Sequence, residues 1–150
     1  ICKGSKTCYT SLRMASLIGP GFDQRIVNRF VKQALETGKL TVKRNQQRFG
    51  FFDVEDAVRG IISMISPTVT DWNPIYNLGT KESYTLVEIA ETVAEIIPNR
   101  AVELEIDTDN AISNSSVDAT RFYEKFGYVS DCDLRSSTER IYLNLVRKTV

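Results

Sequence analysis

Thr7-Cys8-Tyr9-Thr10-Ser11-Leu12-Arg13-Met14-Ala15 is rich in strand formers, and it runs within a few residues into Gly19-Pro20-Gly21, a turn signal. From Asp23 to Thr37 the apolar residues Ile26, Val27, Phe30, Val31, Ala34 and Leu35 fall on one helical face, and Gly38 supplies the stop. A strand, a turn and an amphipathic helix thus follow in order. The rest of the chain repeats that grammar. Lys39 to Lys43 and Arg48 to Phe52 read as short strands around the polar turn Arg44-Asn45-Gln46-Gln47, and Ala57, Val58, Ile61, Ile62 and Ile65 mark a second amphipathic helix. Asp53 is placed to cap this helix, and Pro67 lies beyond its end.

Pro74 to Gly79 reads as a buried strand, and Thr85-Leu86-Val87-Glu88 is a capping box opening a helix through Leu86, Ile89, Ala90, Val93, Ile96 and Ile97, which Pro98 ends. Ala101 to Ile106 alternates as a strand does, and Asp107 to Ser116 is polar and loop-like. Two helices close the chain: one from Asp118 stopping at Gly127, the other from about Leu134, burying Ile141, Tyr142, Leu145 and Val146. Strands alternating with helices define an α/β class but not its topology.

Composition narrows the functions. At 150 residues and 42% hydrophobic, the chain can build a core and is not a disordered tail. Nineteen basic and nineteen acidic residues cancel, so no global field draws it to nucleic acid or to an anionic membrane, and an anionic ligand must be held locally. Short apolar runs broken by charge give no spanning segment, so a cytoplasmic location is expected. Cys2, Cys8 and Cys132 suit reduced thiols better than a disulfide framework. The lack of histidine removes Ser-His and Cys-His pairs and the usual zinc sites, so no metal site is expected. Asn114-Ser115-Ser116 has the form of a glycosylation sequon and reads as a polar loop.

The candidate motifs are each weak alone. Gly19-Pro20-Gly21 lacks a third glycine, Pro20 removes a donor, and Asp23 would repel phosphate, so cofactor binding is not expected there. Tyr-x-x-x-Lys does not occur, which leaves proton transfer without an evident base. Asp53, Glu55 and Asp56 cluster at a strand-to-helix junction, where capping and dipole compensation explain them. Arg44 and Arg48, flanking a turn, could offer a forked donor to phosphate.

Taken in order, the pieces resemble the extended short-chain dehydrogenases/reductases, the NAD-dependent epimerase/dehydratase family. Leu12 to Gly21 is similar to that family's LR-x-x-N-x-Y-G-P-G; Arg48-Phe49-Gly50-Phe51-Phe52-Asp53-Val54-Glu55-Asp56-Ala57-Val58 resembles R-D-F-x-x-V-x-D-V-A; Tyr76-Asn77-Leu78-Gly79 resembles Y-N-x-G. Val117-Asp118-Ala119-Thr120-Arg121 with Phe126-Gly127-Tyr128 is similar to D-x-S-K…L-G-W. The resemblance implies the C-terminal part of a Rossmann-type enzyme, including the small substrate-binding domain. Residues 1–22 would be the last part of the nucleotide-binding domain and the crossover; residues 23–150 would be mainly substrate-binding, with 53–79 returning to the Rossmann sheet.

The same resemblance implies substrate contacts. Ser16 falls where the family has an Asn near the sugar, Gln24 and Arg25 start the helix lining the nucleotide pocket, Val42 lies on a strand whose backbone meets the base, and Arg48 would grip the diphosphate. An ungapped match places Phe49 at the family's arginine, and a second phosphate-binding arginine expected upstream of Asp118 is missing. The expected function is therefore the substrate-binding part of an NAD-dependent nucleotide-sugar epimerase or dehydratase, inactive alone. NAD(P) would be held by the complete protein and not by this chain. Its expected partners are a nucleotide-sugar-like small molecule, the missing N-terminal Rossmann half and, through bare strand edges, a further copy. The competing expectation is a non-catalytic binding or assembly module that keeps the family's outer fold.

Overall fold

A computed structural model describes residues 9–44, 47–65, 71–98, 102–108 and 116–149. The elements are β1 (Ser11–Met14), β2 (Ser16–Ile18), α1 (Ile26–Thr37), β3 (Lys39–Arg44), β4 (Phe51–Asp53), α2 (Val54–Met64), β5 (Ile75–Leu78), α3 (Leu86–Ile96), β6 (Glu103–Thr108), α4 (Thr120–Phe126) and α5 (Leu134–Thr149). Among the described residues the strands form three parallel pairs, β1 with β5, β2 with β4 and β3 with β6. Parallel pairs need crossovers, and helices supply them, which is the α/β pattern. Thr7, Cys8, the turn residues Asn45 and Gln46, Pro67 and Asn114 lie outside the described residues.

The stop signals act as their chemistry requires. Gly38 ends α1 at φ +70° with its N–H on the Ala34 carbonyl, and Gly127 ends α4 at φ +62°. Thr85 and Glu88 form a reciprocal capping box at the start of α3, and Asp53 caps α2 through the Glu55 N–H at 2.8 Å.

Several expectations change. The strand read up to Ala15 is present as β1, but the loop expected after it begins with a second strand: Ala15 separates β1 from β2, and its N–H bonds the Leu78 carbonyl at 2.9 Å. Gly79 allows this close approach, because a Cβ there would come within 2.5 Å of Val117 Cγ2 and 3.0 Å of Ala15 Cβ. The strands near 39–43 and 48–52 do not pair with each other, because β3 lies beside β6, whose paired span runs on to Thr108, and β4 lies beside β2. Phe49 instead makes an isolated antiparallel bridge to Tyr84. The strands near 7–14 and 74–79 partner one another, Leu12 facing Tyr76 and Met14 facing Leu78.

Two cores result. The first gathers Val27, Phe30, Val31 and Ala34 of α1 with Leu40, Val42, Ile89, Val93 and Ile141. The second joins Phe52, Ala57, Met64, Tyr76, Leu78 and Phe122. Here α2 departs from its periodicity: it buries Asp56, Ala57, Gly60 and Met64, while Val58, Ile61, Ile62 and Ile65 are 52, 36, 62 and 70% exposed. On α5, Ile141 is buried as expected, but Tyr142 and Leu145 are only half-buried and Val146 is exposed.

Candidate functional site

Three of the five residues expected to meet substrate come together. Ser16 on β2, Gln24 and Arg25 before α1, and Arg29 in its first turn line one cleft of about 340 Å³ with Phe49 and Phe51. Strand pairing builds one wall, since Ser16 sits in register with Phe51. The rings of Phe49 and Phe51 lie 6.0 Å apart and nearly parallel, 13° between planes, giving that wall a flat apolar surface. The other wall is the start of α1. Arg25 enters the helix with φ −81° and ψ 152° and makes no side-chain capping bond, and the first turn holds no acidic residue. No first-turn carboxylate offsets the positive end of the helix dipole there, and Arg25 and Arg29 add their charge to it.

The other two residues behave differently. Val42 is buried in the first core, so only its backbone, in register with Ile106, could serve a ligand. Arg48 is committed locally: Nε reaches Ser83 Oγ at 3.1 Å, Nη2 donates to the Ser83 carbonyl, and the same group lies 3.5 Å from Glu88. It braces the start of α3, where the Thr85 N–H, ahead of Arg48, holds the Glu88 carboxyl below its ordinary value. Arg29 was not singled out from the sequence; its signal was a second arginine one turn beyond Arg25.

Two larger hollows fit an anion less well. One, of about 490 Å³ between α1 and α5, sets Asp23 and Glu36 against a single cation, Lys32, among Leu35, Leu145 and Val146. The other, of about 500 Å³, is the open face of the β1–β5 pair, where Arg13 and Arg121 share the hollow with the Asp118 carboxylate and Asn77 is already bonded to the Asp118 carbonyl at 2.9 Å.

Gly19-Pro20-Gly21 is shaped by packing. At Gly19, φ +142°, a Cβ would meet Val54 Cγ1 at 2.6 Å, and the Gly19 carbonyl accepts the buried Asn28 Nδ2 at 2.9 Å. A loop so engaged with α1 and α2 does not fit as a cradle for cofactor phosphates.

The acidic cluster at the β4–α2 junction is more than a cap. Asp53 and Asp56 are 3 and 0% exposed. Asp53 accepts from Ser137 Oγ at 2.6 Å and from Arg140; Asp56 accepts from Tyr128 Oη and Arg59 at 2.7 Å and from the Cys132 N–H at 2.9 Å. Burial works to raise the Asp56 carboxyl, but the Tyr128, Cys132, Arg59 and Asp131 donors outweigh it and hold it below its ordinary value. Burial likewise pushes the Cys132 thiol up. Asp53, Glu55 and Cys132 bring possible ligand atoms within 4.8 Å of one another, but Arg59 and Arg140 already occupy that charge, which suits a latch between α2 and α5 better than a cation.

Comparison with known proteins identifies the lineage. The NAD dependent epimerase/dehydratase family model matches residues 1–79, more than half of the chain. The chain belongs to this epimerase/dehydratase family. UDP-glucuronic acid decarboxylase 5 of Arabidopsis thaliana is 33% identical over 115 residues, 75% of this chain and 33% of that protein. UDP-glucuronic acid decarboxylase 2 of the same plant is 32% identical over 138 residues, covering 89% and 30%. Among solved structures, UDP-glucuronic acid 4-epimerase of Bacillus cereus, in complex with UDP-glucuronic acid and NAD, superposes with a TM-score of 0.82 at 18% identity, covering 98% of this chain and 48% of that one. UDP-N-acetylglucosamine 4-epimerase of the same organism gives 0.77 at 24% identity, covering 97% and 48%. These likenesses establish the Rossmann-type extended fold, and the epimerase/dehydratase chain spans about a third of such curated relatives and half of such structures. No helix among its described residues is long and apolar enough to cross a membrane.

Proposed function

We propose that this chain supplies the substrate-binding side of an NAD-dependent enzyme acting on a nucleotide sugar, with UDP-glucuronic acid as the representative substrate. The observation that carries the reading is the cleft in which Arg25 and Arg29 flank the uncapped start of α1. A diphosphate needs charged donors and local positive charge, and in this neutral chain Arg25 and Arg29 offer both there. Phe49 and Phe51 provide an apolar wall for a base or sugar face, and Ser16 a hydroxyl beside it. The names of the relatives, acting on or binding UDP-glucuronic acid, supply the substrate class. Hydride transfer is the chemistry that NAD(P) contributes in such enzymes. This chain's part is to bind and orient the sugar nucleotide, the cofactor and the proton-transferring groups belonging to the remainder of a complete enzyme, and the chain is inactive without them.

The phosphate role is assigned to Arg25 and Arg29, while Arg48 acts through the bracing of α3. A charged hydrogen bond contributes about 1.5–3 kcal/mol, so calorimetric titration with UDP-glucuronic acid should show Arg29→Ala weakening binding roughly tenfold to a hundredfold, and Arg48→Ala by less. Equal binding by Arg29→Ala and the unaltered chain would overturn the assignment, and no saturable binding at all would favour a non-catalytic assembly module.

A further inference from the structure

We infer that Arg140 on α5 is a positioning residue for the cleft, acting through Asp53; this rests on the reading of the cleft as the sugar-nucleotide site. Phe51, Phe52 and Asp53 form one short strand, so the cleft wall at Phe51 and the buried carboxylate at Asp53 are two residues apart on a common backbone. That strand is fixed to its partner in the same register, Ser16 with Phe51 and Ile18 with Asp53, so whatever holds Asp53 also holds Ser16 against Phe51.

The holding group comes from the far end of the chain. Arg140 forks between the Asp53 and Glu55 carboxylates, and Ser137, one turn earlier, donates to the same Asp53 oxygen. The Asp53 side chain is 1% exposed, so this is a buried charge whose partner is supplied by another element. Removing that partner leaves the carboxylate with Ser137 and the Glu55 N–H alone, which favours movement of the junction toward water. There is little slack to absorb it locally. Leu134 and Ser137 of α5 meet Ile18, Phe51 and Asp53 around a void of about 10 Å³, no more than one water needs. A shift of α5 or of Asp53 therefore passes to Phe51 and Ser16. Arg140 does not line the cleft and touches no ligand there, so its effect is on the placing of the wall.

The test titrates the 150-residue chain with UDP-glucuronic acid, well below its thermal transition, and compares Arg140→Ala, Arg140→Lys and Ser137→Ala. Arg135→Ala serves as a control on the same helix, because among the described residues Arg135 forms its salt bridges with the exposed carboxylates of Glu95 and Glu139. Arg140→Ala is expected to raise Kd roughly tenfold, the scale of one charged hydrogen bond set out of place, with Arg140→Lys recovering part of the loss. Amide exchange should quicken at residues 16–18 and 51–53 in Arg140→Ala and slow again with saturating ligand, a coupling that a merely structural contact would not show. An unchanged Kd in a folded Arg140→Ala overturns the inference while leaving the proposed function standing. Should Arg140→Ala fail to fold, unchanged Kd in both Arg140→Lys and Ser137→Ala overturns it equally. Loss of binding in the unaltered chain overturns the cleft reading and this inference with it.

Discussion

Around Ile89 the helices α1, α3 and α5 and the strands β3 and β6 all turn their apolar faces inward, whereas α2 and its capping residue Ile65 turn four large aliphatic side chains to solvent. The two regions draw on similarly apolar sequence, and the difference is one of partners. In the first, helices cover the strands and one another, so each stripe meets another stripe. In the second, α2 and α4 cover one face of the β1–β5 pair through Tyr76, Leu78 and Phe122, while Ile75 on the other face stays exposed. Parallel pairs are normally covered on both faces. The first region therefore closes its own apolar faces, and the second, with one face open, adds polar fastening. Asp56, with its Tyr128, Arg59 and Cys132 donors, is that fastening.

The largest expected effect breaks it. Asp56→Ala removes one side of a buried, multiply bonded charge and should cost about 3–5 kcal/mol in chemical denaturation. The pH dependence follows from sign. Because the folded structure holds the Asp56 carboxyl below its ordinary value, its contribution is present above the usual carboxylate range and is lost as pH falls through that lowered value. Asp56→Asn should flatten that acid limb of the stability curve.

Next in size is the first core, where Ile89→Ala should cost about 2–5 kcal/mol by transfer and cavity terms. Thr85→Ala, which removes one half of the capping box on α3, should cost about 0.5–2 kcal/mol. Smallest is Ile62→Ser on the outward stripe, within about 0.5 kcal/mol in the isolated chain. Light scattering on that variant should show less self-association. A loss at Ile62 as large as that at Ile89 would mean the two regions are not different in kind.

What could be read in advance was local. Gly38, Gly127, Asp53 and the Thr85–Glu88 pair each encode an ending or a beginning in their own chemistry, and the structure places them so. The grouping of Ser16, Gln24 and Arg25 was likewise legible, through the order of motifs. What was not legible depends on distant partners. The periodicity of α2 shows which residues share a face but not whether anything covers it. The pairing of β3 with β6 joins Lys39 to Glu103 across the chain, and no local signal records it. Asp53 and Asp56 read as caps because capping is local, while their burial is decided by Ser137, Arg140, Tyr128 and Cys132.

Amide chemical-shift mapping of the 150-residue chain during titration with UDP-glucuronic acid decides whether the cleft at the start of α1 receives the sugar nucleotide. The perturbed amides should concentrate at Gln24 to Arg29, Phe49 to Phe51 and Ser16, with inorganic phosphate alone moving the Gln24 to Arg29 group and not the Phe49 to Phe51 group. Perturbations confined to the open face at Arg13, Asn77 and Arg121, with the start of α1 unmoved, would place the sugar nucleotide there and not in the cleft.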